Sequence, residues 1–450
     1  MKFGTDGVRG AANTELTADF ALNLGRAAAQ VLSRLGAGSD DPGSIDGAPR
    51  DIVVLGGDTR ESTPMFRAAL AAGFAAEGVD VIDMVTATTP LVAFEAQRLG
   101  VMGAVISASH NPFGDNGIKL FAPGGTKLPD DVEAQIETAL DQLGDPGTSI
   151  GRIGVHHDAT HYVEHVLAML GGRDLRGIKV VLDTANGAGT TVAPDVLRAS
   201  GAEVIVIANE PDGRNINAGC GATYPEFVAA AVLEHGADMG VALDGDADRL
   251  IAVDHTGTVV DGDHIIAICA ADLRARGQLA HDTVVVTVMT NLGFRLAMEA
   301  TGIHVVETGV GDRYVLEALG AGGYSLGGEQ SGHVIFADHA TTGDGLLTAV
   351  AMIDIVKRSG TTLEAIASRA MTSLPQVLVN VRVGERVPDV AVRLRDEIAA
   401  VEAELGATGR VLVRASGTEP LIRVMVEAAT AERAQAAADQ LAAAARLRFS

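Results

Sequence analysis

Apolar and polar positions alternate along the chain in two distinct periods. Between 17 and 36 the apolar residues Phe20, Leu24, Ala28, Val31 and Leu35 recur every three to four places, the stripe of an amphipathic helix. Thr17 is placed to cap that helix and Gly36 to end it. The stretch 36–51 (GAGSDDPGSIDGAPRD) is polar, rich in Gly and Pro and without period, and reads as a mobile loop. Residues 52–55 are a short continuous apolar run, which predicts a buried strand. Ser62 and Pro64 then open a second helix as N-cap and early-turn residues. Further strands are predicted at 79–84 and 103–107, with a helix starting near Pro90 between them. Such alternation predicts a mostly parallel sheet covered on both faces.

The same grammar recurs twice, with strands predicted at 178–183, 203–207 and 239–243, and again at 283–288, 304–307 and 324–326. The C-terminal region differs: alternating strands at 376–383, 410–414 and 421–427 precede an Ala-rich helix capped by Thr430. The predicted class is α/β, with three related α/β domains of mixed, mostly parallel sheets and a smaller C-terminal α+β domain around a central cleft. The boundaries fall at 1–154, 155–256, 257–372 and 373–450. The stretch 144–160 reads as a linker. His161 and His165 beside it have a spacing that can bind zinc, but there is no HExxH, and they read as solvated.

Composition narrows the function. With 47% hydrophobic and 20% charged residues the chain is globular, and no run reaches the roughly 18 apolar residues of a membrane span. The start, MKFGTDGVRG, does not resemble a signal peptide, so a cytoplasmic protein without a membrane partner is expected. Cys220 and Cys269 are too few for a disulfide framework and read as small buried residues. A formal charge of −24, no Trp and 3% aromatics argue against a nucleic-acid partner. An anionic small substrate remains open only where Arg and Lys are gathered locally.

Three polar loops follow central strands, where open α/β sheets bind ligands: SASHNP at 107–112, DGDADR at 244–249 and EQSGH at 329–333. In DGDADR, Asp244, Asp246 and Asp248 alternate, so three hard oxygens can converge on one cation, as magnesium requires. An EF-hand is excluded, because Arg249 and His255 stand where Gly and Glu are needed; a solvated acidic turn and the DxD of nucleotide-sugar transferases are the competing readings. SASHNP offers Ser109 and His110 beside an Asn-Pro turn, with Lys119 downstream. It has no legible Ser-His-acid spacing, and an ordinary Ser/Asn turn is the bland alternative. RASGTEP at 414–420 combines Arg414, Ser416, Gly417 and Thr418, and Arg423 follows on the next strand. That set suits a phosphate dianion, or else is a plain hairpin turn. There is no P-loop motif.

Taken together, FGTDGVRG at 3–10, GAVISASHNPFGDNGIK ending at Lys119, ANGAG at 185–189, DGRNIN at 212–217, DGDADR, VGDRYV at 310–315, GEQSGH at 328–333 and RASGTEP resemble the alpha-D-phosphohexomutase superfamily over essentially the whole chain. The resemblance implies an isomerase-class phosphotransferase in which Ser109 carries a phosphate. Asp244, Asp246, Asp248 and the phosphoserine would bind Mg2+. Arg249, Glu329 and Ser331 would contact the sugar. Arg414, Ser416, Gly417, Thr418 and Arg423 would hold its distal phosphate, while Arg9, His110, Lys119 and His333 would serve catalysis. GEQSGH favours the bacterial glucosamine-phosphate branch, which feeds cell-wall precursors, over glucose or mannose phosphates. A sugar 1,6-bisphosphate would be both intermediate and activator, and a homodimer is an expected assembly. One departure stands out: GGDTRES at 56–62 has Gly57 where the family usually has Arg.

Overall fold

The computed structural model describes residues 2–4, 6–36, 51–415 and 420–449; the expected loop between 36 and 51 lies outside them, apart from its two end residues. The chain divides into two compact units, Met1–Val288 with His304–Ser368, and Met289–Ile303 with Arg369–Ser450.

The first unit contains three sheets. One comprises β1 (Val8–Ala11), β2 (Ile52–Gly57), β3 (Asp80–Thr86), β4 (Met102–Ile106), β5 (Asp115–Ala122), β6 (Thr126–Lys127) and β7 (Ile153–Val155). The next comprises β8 (Lys179–Asp183), β9 (Glu203–Ile207), β10 (Met239–Leu243), β11 (Leu250–Asp254) and β12 (Val259–Val260). The last comprises β13 (Thr283–Thr287), β14 (His304–Thr308), β15 (Leu326–Gly328) and β16 (Val334–Phe336).

The pairing shows that these are three copies of one design. A first strand pairs in parallel with the second on one side and the third on the other, and a fourth returns antiparallel beside the third. The resulting orders are β5-β4-β2-β3, β11-β10-β8-β9 and β16-β15-β13-β14. The parallel strands are continuous apolar runs because helices cover both faces, as the fully buried Val53, Val54, Val180, Val181, Val284 and Val285 illustrate.

Most strands and caps fall where the hydrophobic pattern put them. Thr17 Oγ1 accepts from the amide of Phe20 at the start of the helix Ala18–Gly36, and Thr430 Oγ1 accepts from that of Arg433 at the start of Ala431–Phe449. Both cysteines are free and buried. Two expectations are corrected. Ser62 precedes the helix Thr63–Ala76 but makes no capping bond, because its hydroxyl accepts from Asn116 Nδ2 instead (2.9 Å). The stretch read as a linker contains β7, which extends the first sheet parallel to β3; His161 and His165 lie on the helix Thr160–Ala168. Gly154 and the exposed Ile153 and Val155 give β7 no alternating pattern to read.

In the second unit β17 (Gln376–Arg382), β18 (Arg410–Ala415) and β19 (Leu421–Glu427) form an antiparallel sheet of order β17-β19-β18. The helix Ala431–Phe449 buries Ala434, Ala438, Leu441 and Ala445 in the same core as Val413, Val424 and Val426. Glu427, fully buried, accepts from Arg410 at both oxygens (2.9 Å each) and from the amide of Leu292 (3.0 Å), which binds the helix Leu292–Thr301 to the sheet. Among the described residues no helix is long and apolar enough to cross a membrane.

The helices Ala18–Gly36 and Thr63–Ala76 cross at two glycines. A Cβ on Gly73 would come 2.1 Å from the carbonyl oxygen of Leu22, and one on Gly25 would come 2.5 Å from that of Leu70. In an isolated helix, Gly→Ala gains about 1 kcal/mol. Here overpacking of about 1–3 kcal/mol opposes it. Gly73→Ala is therefore expected to be less stable than the parent by chemical denaturation; a gain would show that the helices can part without loss.

Candidate functional site

The copied topology places one loop at the same point in each repeat, between the third strand and its antiparallel return. In the first repeat the loop carries SASHNP, in the second DGDADR and in the third EQSGH. Each begins at the carboxyl end of a buried parallel strand. Hydrogen bonds join the three: Ser109 Oγ donates to Asp244 Oδ2 (2.5 Å), and the amide of Leu250 donates to the carbonyl of Gly332 (3.0 Å).

Ser109 is 1% exposed and has φ +51°, a left-handed conformation that serine rarely adopts. Ala185, Asn186, Asn217 and Ala247 share that handedness at φ +54°, +49°, +57° and +59°. They are neighbours in space. The amide of Asn217 donates to the carbonyl of Ala185, and Asn217 Nδ2 donates to that of Ser109 (2.9 Å). Strained, non-glycine backbone gathered in one place marks a site whose geometry is enforced by its surroundings.

The acidic loop is almost closed to water, with Asp244, Asp246 and Asp248 at 0%, 0% and 4% exposure and one ligand oxygen of each within 4.8 Å of the others. Lys119 Nζ reaches Asp246 Oδ2 (3.0 Å), Asp248 Oδ2 (3.1 Å) and Asp6 Oδ2 (3.1 Å). Burial alone would depress the lysine's pKa, but these three carboxylates outweigh it and raise it well above normal. Asp6 also pairs with Arg9, bringing a second cation to the same edge. Burial and the adjacent Asp248 and Asp246 push Asp244 up. Asp248 itself, despite burial, is held well down by Lys119 and His333. Asp246 Oδ1 and Asp248 Oδ1 are buried without any hydrogen-bond donor. Buried carboxylate oxygens left bare are costly unless a cation meets them, so this donor set fits a hard divalent ion.

The histidines differ. Burial, then Arg249 and Arg9, bring His110 down to about 4, so it is neutral at physiological pH; its Nδ1 lies 3.3 Å from Ser109 Oγ. For His333, burial opposes protonation while Asp248, Asp312 and Glu329 favour it and raise the pKa to about 9. The amide of Gly343 nevertheless donates to Nε2 (3.1 Å), which favours the neutral tautomer with Nδ1–H toward Asp248 Oδ1 at 3.6 Å. Glu329, half-buried, accepts from the amide of Gly311 (3.1 Å), and Ser331 is exposed.

Four family descriptions match in order along the chain: phosphoglucomutase/phosphomannomutase alpha/beta/alpha domain I over residues 1–145, domain II over 160–257, domain III over 261–374 and the C-terminal domain over 378–444. The chain belongs to this family of phosphohexomutases. It is 54% identical over 447 residues to the phosphoglucosamine mutase of Frankia casuarinae, a match covering 98% of this chain and 97% of that one. Among solved structures, a phosphoglucomutase/phosphomannomutase family protein of Burkholderia thailandensis is similar with a TM-score of 0.80 at 25% identity, over 98% and 97% of the two chains. The N-acetylphosphoglucosamine mutase of Aspergillus fumigatus, solved with GlcNAc-6P and magnesium, shares the fold at a TM-score of 0.69 and 19% identity, over 100% and 96%.

For a phosphohexomutase, the expected nucleophile, metal ligands and cations come together in the first unit: Ser109, His110, Asp244, Asp246, Asp248, Lys119, Arg9, Arg249 and His333. Ser416, Gly417 and Thr418 lie outside the described residues. In the second unit Arg414 and Arg423 are direct partners across the β18–β19 pair. Like charges placed so repel unless an anion sits with them, and burial together with Arg423 lowers the pKa of Arg414.

Sequence reading missed Asp6 and Thr89, whose hydroxyl donates to Asp246 Oδ2 (2.7 Å) while its amide donates to the carbonyl of the same residue (3.0 Å). The TDG of FGTDGVRG contained Asp6, but nothing in that motif shows that Arg9 and Lys119 meet on it. Gly57 has no room for a side chain as packed here, since a Cβ would lie 2.6 Å from Thr63 Cγ2 and 2.9 Å from the carbonyl oxygen of Ile106.

Asp246→Asn and Asp248→Asn are each expected to weaken magnesium binding at least about tenfold, and Thr89→Ala, which only orients a ligand, by about tenfold. Calorimetric titration of the purified proteins checks this without reference to activity. Unchanged affinity would mean that the acidic loop is a structural turn.

Proposed function

We propose that this chain interconverts glucosamine 6-phosphate and glucosamine 1-phosphate, with Ser109 as the phosphoryl carrier. The observation that carries the reading is the placement of Ser109 Oγ against Asp244, in a buried triad in which Asp246 Oδ1 and Asp248 Oδ1 have no hydrogen-bond donor. A serine hydroxyl is a poor nucleophile without help, and such a setting supplies it. Phosphorylated Ser109 gives its phosphoryl group to the free sugar hydroxyl; the P–O bond to Ser109 breaks as the bond to sugar forms. The resulting sugar 1,6-bisphosphate turns end for end and returns its other phosphoryl group to Ser109.

Asp244, Asp246, Asp248 and the phosphoserine are the proposed magnesium ligands. Magnesium supplies charge neutralisation for the transferring group. Lys119 and Arg9 hold positive charge beside the same group, and neutral His110 and His333 are candidates to carry the hydroxyl proton. Arg414 and Arg423, with the intervening Ser416, Gly417 and Thr418, are proposed to hold a phosphate that is not being transferred, and Glu329 and Ser331 to contact the sugar. The amino sugar is favoured by the name of the 54% identical relative and by the carboxylate of Glu329, which suits a protonated 2-amino group.

Three experiments test the reading. Purified protein should carry one phosphate on the peptide containing Ser109, and Ser109→Ala should lose activity by more than about a thousandfold. A panel of glucosamine, glucose and mannose 6-phosphates should give the highest kcat/KM with glucosamine; a glucose or mannose preference would overturn the substrate and leave the chemistry. Arg414→Ala removes a charge-assisted bond worth about 1.5–3 kcal/mol and should raise KM about 10- to 100-fold with either 1- or 6-phosphate. A rise with only one of the two would remove Arg414 from a shared phosphate seat.

A further inference from the structure

The guanidinium of Arg60 is wholly buried, and all five of its N–H bonds are used. Nε donates to Asp58 Oδ2 (2.8 Å); Nη1 donates to the carbonyls of Pro112 and Asp115 (3.1 Å to the latter); Nη2 donates to those of Ser109 (2.9 Å) and Asn111 (2.8 Å). Its partner Asp58 also accepts from Thr63 Oγ1 (2.8 Å) and from Ser107 Oγ (2.7 Å), and Ser107 Oγ in turn accepts from the amide of Ser109 (2.8 Å). One ion pair therefore fixes both peptide groups of Ser109, the carbonyl through Arg60 and the amide through Asp58 and Ser107.

We propose that Arg60, acting with Asp58, is the positioning residue of the phosphoryl carrier: it holds Ser109 in the left-handed conformation from which Oγ reaches Asp244. The proposal rests on the mutase reading for its kinetic consequences but not for its geometry. Four carbonyls from one loop can converge on one planar fork only when that loop has a single conformation, and the left-handed serine at its start needs such over-determination to persist. Asn217 Nδ2, from the second repeat, shares the carbonyls of Ser109 and Asn111 (2.9 and 3.3 Å), so the anchored loop is also registered against the repeat that carries the three aspartates. A lysine at 60 would keep the charge but offer at most three donors without the planar fork.

Arg60→Lys is compared with the parent in kcat, in KM for glucosamine 6-phosphate, in magnesium affinity, and in the rate at which glucose 1,6-bisphosphate phosphorylates Ser109, read by intact mass. The expected result is a fall of about 100-fold in kcat and in the phosphorylation rate, with KM and magnesium affinity within about threefold. Wild-type rates in the variant would overturn the proposal, as would a loss of magnesium affinity equal to the loss of rate, which is what mere support of the fold predicts. Should Arg60→Lys not fold, Ser107→Ala, which cuts only the bond to the Ser109 amide, replaces it; a kcat reduced at least about tenfold supports the proposal and an unchanged one overturns it.

Crystal structures of parent and variant give a reading free of activity. With Ser109 dephosphorylated in both, it should keep positive φ and its bond to Asp244 in the parent and lose both in the variant; retention of both in the variant overturns the proposal. If the parent itself is neither phosphorylated nor active, the mutase reading fails, and the crystallographic comparison alone decides the role of Arg60.

Discussion

Three carboxylates packed within 4.8 Å of one another and shut away from water repel strongly and lose hydration at the same time. Only opposite charge delivered to the same place makes that arrangement tolerable, and much of the first unit is built to deliver it. Lys119 comes from β5, buried between the apolar Ile118 and Leu120. Arg9 comes from β1 and is joined to Lys119 through Asp6. Arg249 comes from the second repeat, and His333, from the third, turns Nδ1 toward Asp248. The compensation is incomplete, since Asp246 Oδ1 and Asp248 Oδ1 have no donor within hydrogen-bond distance. That shortfall is what fits the loop to a hard cation.

Left-handed backbone at five non-glycine residues is the second cost the site imposes. Stability lost there must come from elsewhere in the fold, and the fully buried parallel strands with their helical covers are where it is found. The rigid part of each repeat is the sheet. The candidate site is built from the turns that the sheets hold in place.

Parallel strands flanked by helices were legible because their signal is strong and local: continuous Val- and Ile-rich runs between capped amphipathic segments. β7 was not legible, because a three-residue edge strand with a central Gly leaves no period to detect. The chemistry-bearing loops were legible because Asp-x-Asp-x-Asp and Ser-His-Asn-Pro announce themselves in sequence. The residues that aim those loops were not. Arg60, Asp58, Thr89 and Asn217 act through contacts to residues 49 to 157 positions away, several of them to backbone carbonyls, and such contacts leave no trace in local spacing. The departure at Gly57 drew attention to a missing arginine, while the arginine three places on was the one with work to do.

The repeated strand order has a bearing on ancestry. Three sheets with the same d-c-a-b arrangement, each with its active loop at the c–d corner, are what successive duplication of one segment leaves behind. After copying, the core of each segment was bound to its packing, but the corner turns were free to diverge. The first corner now carries SASHNP, the second DGDADR and the third EQSGH. Because the corners lie together, with Ser109 on Asp244 and Leu250 on Gly332, a change in one can be complemented by its neighbours without a new fold.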